Sequence, residues 1–94
     1  LSQYDSNLYI YVYLCIYIMD EFYVQNRQVI VSVHAVKQAR KRNIAYPDQV
    51  YHTIKTGKVK KFGKHGIKFV GKSIICVGEE IGQIILIKTI ERGN

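Results

Sequence analysis

The chain has 94 residues, and its 14 lysines and arginines against seven acids give a formal net charge of +7. This length predicts one domain with a single core of modest stability. Many isoleucines and tyrosines with few alanines favour β structure over a helix bundle. The positive charge favours a polyanionic partner, with nucleic acid before anionic membrane, and the alternative is a solvated surface without a partner.

The positive charge is concentrated in the middle of the chain. Eleven bases between positions 37 and 72 face only Asp48: Lys37, Arg40, Lys41, Arg42, Lys55, Lys58, Lys60, Lys61, Lys64, Lys68 and Lys72. This concentration predicts a small intracellular, cytoplasmic protein that binds RNA or DNA.

The chain opens with an unbroken apolar run over residues 8–19. The run is too short to span a bilayer as a helix, and it lacks the basic leader of a signal peptide. Its aromatic and β-branched residues predict a strand that is apolar on both faces. Such a strand must be covered by another element, so we expect a homodimer that pairs through this segment. Residues 1–18 are then an apolar extension of a core formed by residues 19–94. Addition of this strand to the sheet of another protein is the alternative.

The next elements are predicted from turn and helix signals. A polar turn at Asp20 and Glu21 separates the apolar run from strands at 22–23 and 28–31, with a bend at Asn26 and Arg27. Ser32 suits a helix N-cap, and the helix should run from 33 to about 43. Its apolar arc comprises Val33, Ala35, Val36, Ala39 and Ile44. Arg40 falls inside this arc, where it either extends to the edge or meets a buried anion.

A second helix begins at Tyr46-Pro47-Asp48, with Val50, Tyr51 and Ile54 on its apolar side and Gly57 as its stop. Beyond this helix the hydrophobic pattern repeats every two residues, which predicts strands at 58–62, 67–70, 73–77 and 83–90. The predicted turns between them lie at 63–66, 71–72 and 78–82. Short connections predict antiparallel hairpins, and the last strand is apolar enough to be central. The predicted fold class is α+β, with two helices packed on an antiparallel β-meander.

Several kinds of chemistry lack their sequence signals. No glycine loop precedes a helix as in phosphate-binding motifs, and Glu79 and Glu80 are predicted to lie solvated in a turn. The spacing of His34, His52 and His65 matches no zinc pattern, so no metal and no cofactor are predicted. Cys15 and Cys76 are predicted to be reduced, buried thiols, and a disulfide between them is the alternative in a cytosol that tolerates such bonds.

The first helix carries the candidate catalytic residues. His34, Gln38 and Arg42 recur at i, i+4 spacing and form one slanted row. An imidazole can transfer protons near neutral pH and a guanidinium can hold a phosphate, so His34 and Arg42 are candidates for metal-free RNA cleavage. The competing interpretation is an exposed helix with ordinary polar residues.

The remaining candidates are expected to bind nucleic acid without chemistry. The predicted nucleic-acid-binding residues are Lys37, Gln38, Arg40, Lys41, Lys58, Lys60, Lys61, Lys64 and His65. Tyr46 and Phe62 either stack on bases or belong to the core.

The stretch from His34 to Gly57 resembles a small family of unassigned function related in fold to the RelE and ParE toxins. The family signature runs roughly H-A-hydrophobic-x-R-x-x-x-R-G-I, followed by a hydrophobic residue and a glycine. The matching residues are His34-Ala35-Val36, Arg42-Asn43-Ile44, Val50, Ile54 and Gly57, and the resemblance extends over about residues 28–90. It implies a RelE-like fold and an active or degenerate metal-independent ribonuclease.

The chain departs from this signature at two positions. Asn43 replaces glycine, and asparagine is the next best residue for a left-handed helix end. Gln38 replaces arginine and removes a fixed positive charge from the row, which weakens the ribonuclease interpretation.

Overall fold

The computed structural model describes residues 18–93, with side chains from Phe22 onward. Two helices and a six-stranded mixed sheet make up this region, which confirms the α+β class. The strands and helices are β1 (Ile18–Val24), β2 (Arg27–Ser32), α1 (Val33–Lys41), α2 (Asp48–Thr56), β3 (Lys58–Phe62), β4 (Gly66–Val70), β5 (Ile74–Ile81) and β6 (Ile84–Arg92). The predicted N-terminal strand and its homodimer interface lie outside the described residues, except for the last two positions, and the dimer stays a prediction.

A two-residue turn joins β1 to β2. Gln25 and Asn26 have φ angles of 51° and 67°, the left-handed pair typical of a tight hairpin. The polar turn predicted at Asp20 and Glu21 is wrong, because these residues lie within β1 and pair with Val31 and Ile30. Two acids in sequence do not end a strand when the backbone reverses several residues later.

The sheet has the order β1-β2-β6-β5-β4-β3. Strands β3 to β6 form the predicted antiparallel meander, and β6 lies centrally between β2 and β5 as predicted. The pairing of β2 was not predicted, and this strand joins the sheet in parallel with β6. Both helices and the other three strands of the meander separate β2 from β6, and such a long connection permits parallel pairing.

A bulge in β6 sets which residues reach the core. Val77 pairs with Thr89 but Gly78 pairs with Ile87, so Lys88 is an extra residue. The insertion allows Ile87 and Ile90 to be buried together, since it shifts the alternation by one. The predicted turn at 78–82 begins too early: residues 78–81 belong to β5, because the glycine that suggested a turn serves the bulge.

Gly78 is required at this bulge. A Cβ atom there would overlap the carbonyl oxygen of Leu86 and crowd the backbone of Ile87. The chain reverses instead at Gly82, where φ is +61°.

Both helices pack on one face of the sheet and share one core. The predicted arc of α1 is confirmed by the burial of Ala35, Val36, Ala39 and Ile44, and the backbone N–H of Ala35 donates to the Ser32 Oγ at 3.1 Å. Arg40 is exposed, as in the first of its two predicted alternatives.

The second helix differs from its prediction in its buried face. Tyr51 is 37% exposed and its ring packs edge-on against Phe22, whereas Thr53 is buried. A threonine can occupy the core here because its hydroxyl donates to the Gln49 carbonyl at 2.8 Å. Pro47 lies just before the first helical residue, and Gly57 ends the helix as predicted.

Neither helix in residues 18–93 is long and apolar enough to cross a bilayer.

Candidate nucleic-acid interface

The predicted row on α1 lines one open groove. The groove has a volume of about 600 Å³ and is lined by His34, Lys37, Gln38, Lys41 and Arg42, which we call the α1 groove. All of these side chains are exposed except that of Gln38, which is half-buried. The structure therefore brings together both candidate catalytic residues and three of the predicted nucleic-acid-binding residues. Arg40 lies outside this lining.

Two members of the row are attached to the backbone of β6. The side-chain oxygen of Gln38 accepts from the Ile90 N–H at 3.4 Å, and an Nη of Arg42 donates to the Ile90 carbonyl at 3.2 Å. The pairing of β6 with β2 ends at Ile87, so these side chains bind the backbone of β6 beyond the last ladder pair. The row thus holds α1 on the sheet as well as facing the groove.

The bond from Ile90 explains glutamine at position 38. An arginine has five N–H donors and no acceptor, so it could not receive the Ile90 N–H. The departure from the family signature therefore coincides with a hydrogen bond that only an acceptor can make.

The C-terminal end of α1 is fixed by a left-handed residue and by an arginine from β6. Asn43 has a φ of +56°, and the N–H of Ile44 donates to the Ala39 carbonyl at 2.8 Å, as in a Schellman motif. Arg92 donates to the carbonyl of Arg42 from Nε at 3.1 Å and from Nη2 at 2.6 Å. These contacts satisfy the free carbonyls at the helix end and hold the Arg42 backbone in place.

The α1 groove is electropositive. None of its five residues is acidic, and none forms an ion pair with a carboxylate of residues 22–93. The imidazole of His34 forms no hydrogen bond within that range. The positive groups are therefore available to an anion from solvent.

The other predicted nucleic-acid-binding residues belong to the β3–β4 hairpin, and the sheet divides them. Residues opposite each other in a ladder share a face, and Lys61 lies opposite the buried Ile67. Lys61 therefore faces the helix side, whereas Lys58 and Lys60 face the opposite side. The predicted basic stretch of residues 37–72 therefore does not form one continuous surface, because its members lie on both sides of the sheet.

Lys61 is engaged by an acid. Its Nζ lies 3.1 Å from one oxygen of the Glu80 carboxylate, and Arg27 lies 2.8 Å from the other. Hydrogen bonds from Arg27, which has the larger effect, and from Lys61 hold the pKa of Glu80 below its ordinary value. The predicted solvated turn position for Glu79 and Glu80 is thereby corrected, since both lie on β5 and Glu79 pairs with Lys88 at 3.1 Å.

Lys64 and His65 lie in the turn of the hairpin and are exposed. They line a hollow of about 410 Å³ with Phe62, on the side of the sheet away from the helices. Phe62 is 46% exposed, so the core alternative predicted for this residue is wrong. Tyr46 is the opposite case, because it packs against the core.

No metal-binding cluster of His, Cys, Asp or Glu exists among the residues for which side chains are described. Cys76 is a buried free thiol, and burial raises its pKa to about 12. Cys15 lies outside the described residues.

Sequence reasoning missed two residues that shape the groove. Arg92 binds carbonyls about 50 residues away, and Ile90 contributes only its backbone. A terminal arginine on a strand gives no sign of its partner, and a backbone contact leaves no residue-type signal.

No family model matches this chain, and neither a curated protein nor a solved structure matches it. The sheet and groove define an α+β protein with a cationic helix surface, and the RelE-like relationship stays a prediction.

Proposed function

We propose that this protein binds nucleic acid by gripping phosphates in the α1 groove. The observation that carries the proposal is the convergence of His34, Lys37, Lys41 and Arg42 on one open groove without a carboxylate. Phosphate contacts supply much of the affinity of nucleic-acid-binding proteins. Arginine and lysine donors are also the groups that such contacts commonly use.

Each side chain has a distinct role in this proposal. Arg42 uses one N–H on Ile90 and retains other donors for a phosphate oxygen. Lys37 and Lys41 supply mobile point charges along the same side of the helix. Gln38 keeps the helix in register with β6 and leaves the charge contacts to its neighbours.

Binding takes precedence over cleavage in this proposal. Metal-independent cleavage of RNA needs a proton-transfer group and a donor that stabilises the charge on the phosphorus oxygens, roles that His34 and Arg42 would fill. However, Gln38 and Arg42 already serve a structural contact with Ile90. The RelE-like ribonuclease, active or degenerate, is the narrower form of the same proposal.

The binding test is fluorescence anisotropy with labelled single-stranded RNA and DNA. With about three phosphate contacts, a single strand should lose roughly 20-fold in affinity between 50 and 200 mM salt. The double variant Lys37→Gln/Lys41→Gln should bind more weakly and with a smaller salt slope. The matched control is Lys55→Gln/Lys72→Gln, which removes the same charge outside the groove. Equal loss in both double variants, or affinity independent of salt, would contradict the proposal.

The cleavage test uses labelled RNA in the presence of a chelator. The parent is compared with His34→Ala and with Arg42→Lys, which keeps a donor at position 42 but removes the planar guanidinium. Loss of cleavage in His34→Ala with unchanged binding would support a catalytic histidine. Cleavage that survives in both variants would remove the catalytic pair, and binding without cleavage in the parent would identify a degenerate site.

A further inference from the structure

The ring of Phe62 is held in a fixed, exposed position on the β3–β4 hairpin. Phe62 pairs with Gly66 across the two strands, and a side chain at Gly66 would overlap the ring. The aromatic ring therefore lies over the glycine, where a strand would otherwise lack cover. Phe62 is nearly half exposed, and its side chain lies on the side of the sheet opposite both helices.

Two lysines beside this ring lie directly opposite each other. Lys60 pairs with Lys68, and the Nζ of Lys68 lies over the ring of Phe62 in a cation–π contact, 5.9 Å from its centroid. Like charges at directly opposed positions destabilise a sheet. Neither lysine has a carboxylate partner within residues 22–93 to offset the repulsion. An anion placed between them would remove that cost.

Protection of a sheet edge explains only part of this arrangement. In the described sheet β3 is the last strand, and lysines on such a strand hinder pairing with other chains. That purpose accounts for Lys58 and Lys60. It does not account for Lys68, which lies on the inner strand β4, or for an exposed aromatic side chain next to the lysine pair.

We propose that this hairpin binds single-stranded nucleic acid, with one base stacked on Phe62 and the adjoining phosphates on Lys60 and Lys68. Aromatic rings that accept a base, flanked by cations for the backbone, are the usual elements of such sites. The strand must be single, because a base within a duplex cannot reach an aromatic side chain. Lys64, in the turn that follows β3, extends this positive surface for further phosphates of the bound nucleic-acid strand. This site is separate from the α1 groove, which lies on the other face and is proposed to contact only phosphates.

The test separates base stacking from phosphate binding. An oligothymidylate octamer is compared with an abasic octamer of the same charge, by anisotropy, for the parent, Phe62→Leu and Phe62→Tyr. Leucine keeps an apolar group over Gly66 but cannot stack, so Phe62→Leu should lower affinity for the base-containing octamer about tenfold, whereas Phe62→Tyr should stay within about twofold of the parent. Neither variant should change affinity for the abasic octamer.

A charge reversal tests the competing explanation. Lys60→Glu keeps a charged side chain on the edge, so edge protection alone predicts unchanged binding and an unchanged oligomeric state. The proposed site predicts weaker binding of both octamers. Thermal unfolding and light scattering of each variant confirm that the hairpin is intact and that the chain has not aggregated.

The outcomes distinguish this site from the α1 groove. Lys37→Gln/Lys41→Gln should lower affinity for both octamers alike, whereas Phe62→Leu should discriminate between them. If a folded Phe62→Leu variant binds the two octamers as the parent does, the stacking site is overturned even where the groove proposal stands. Discrimination by Phe62→Leu with no effect of the groove variant would leave the hairpin as the binding site and overturn the groove.

Discussion

Gln38 offers the sharpest test of the structural argument, because its acceptor and its lack of charge can be changed separately. Its side-chain oxygen receives the Ile90 N–H at 3.4 Å, a long bond in a partly buried setting. Leaving a buried donor unpaired costs about 1–3 kcal/mol, and the length and partial exposure of this bond place the cost near 1 kcal/mol. In a domain of this size, that loss corresponds to a fall in Tm of roughly 4–8 °C.

Three substitutions test the hydrogen-bond acceptor of Gln38 and its lack of charge separately. Gln38→Met is similar in length but has no acceptor for the Ile90 N–H, so Tm should fall by about 4–8 °C. Gln38→Glu keeps an acceptor, so Tm should stay within about 2 °C of the parent, while the negative charge in the groove weakens nucleic-acid binding. Gln38→Arg loses the acceptor and adds a phosphate contact, so stability falls while affinity rises.

Differential scanning calorimetry and anisotropy on the same protein samples measure both effects. The opposite directions in Gln38→Arg are the informative result, because general unfolding would lower stability and affinity together. A Tm in Gln38→Met or Gln38→Arg equal to that of the parent would refute the role of the Ile90 bond. Stronger binding by Gln38→Glu would refute the phosphate role of the α1 groove.

Three further predictions concern the sheet. Gly78→Ala should lower the free energy of unfolding by at least about 3 kcal/mol, because the added Cβ meets backbone. Gly93→Ala is the control and should change the free energy of unfolding by less than about 0.5 kcal/mol. Equal denaturation midpoints for the two variants would contradict this account of the bulge. The pKa of Glu80 is lowered in the folded state. The ionised carboxylate therefore stabilises the fold above the ordinary pKa of 4.5, and this contribution is lost as pH falls through the folded pKa. Glu80→Gln should remove this part of the acid dependence, and a Tm profile identical to that of the parent between neutral pH and pH 3 would count against it. With Cys15→Ser as background, Cys76 should resist iodoacetamide at pH 8 until the protein unfolds, because burial raises its pKa to about 12, and rapid labelling of the native protein would show that the thiol is accessible.

The helices illustrate what local patterns can predict. Ser32 as N-cap and the burial of Ala35, Val36 and Ala39 follow from residue type and the helical period alone. Both depend on atoms within a few residues of one another. The row of His34, Gln38 and Arg42 was predictable for the same reason, since i, i+4 spacing on a helix places side chains on one side.

The long-range contacts illustrate what those patterns cannot predict. Gln38 and Arg42 bind Ile90 across 52 and 48 residues, and neither end of these contacts has a distinctive residue type. Gly78 misled the strand prediction, because a glycine between apolar runs is more typical of a turn than of a bulge. The basic pattern predicts one binding surface for Lys60 and Lys61, whereas the pairing of Lys61 with Ile67 shows that they face opposite sides of the sheet.

The structure also changes how the net charge bears on function. Several bases are engaged within the described part of the chain: Arg27 and Lys61 bind Glu80, Lys88 binds Glu79, and Arg92 binds carbonyls at the end of α1. Among the cations without a carboxylate partner in residues 22–93, one group lines the α1 groove and another lies around Phe62 on the opposite face of the sheet. Because the two proposed sites share no residues, charge removal in the groove should leave the base dependence of binding at the hairpin unchanged, and ring removal should leave phosphate binding in the groove unchanged. Total positive charge alone would predict no base dependence at either face, so a response to the bases that is confined to the hairpin would show that local geometry decides what this protein binds.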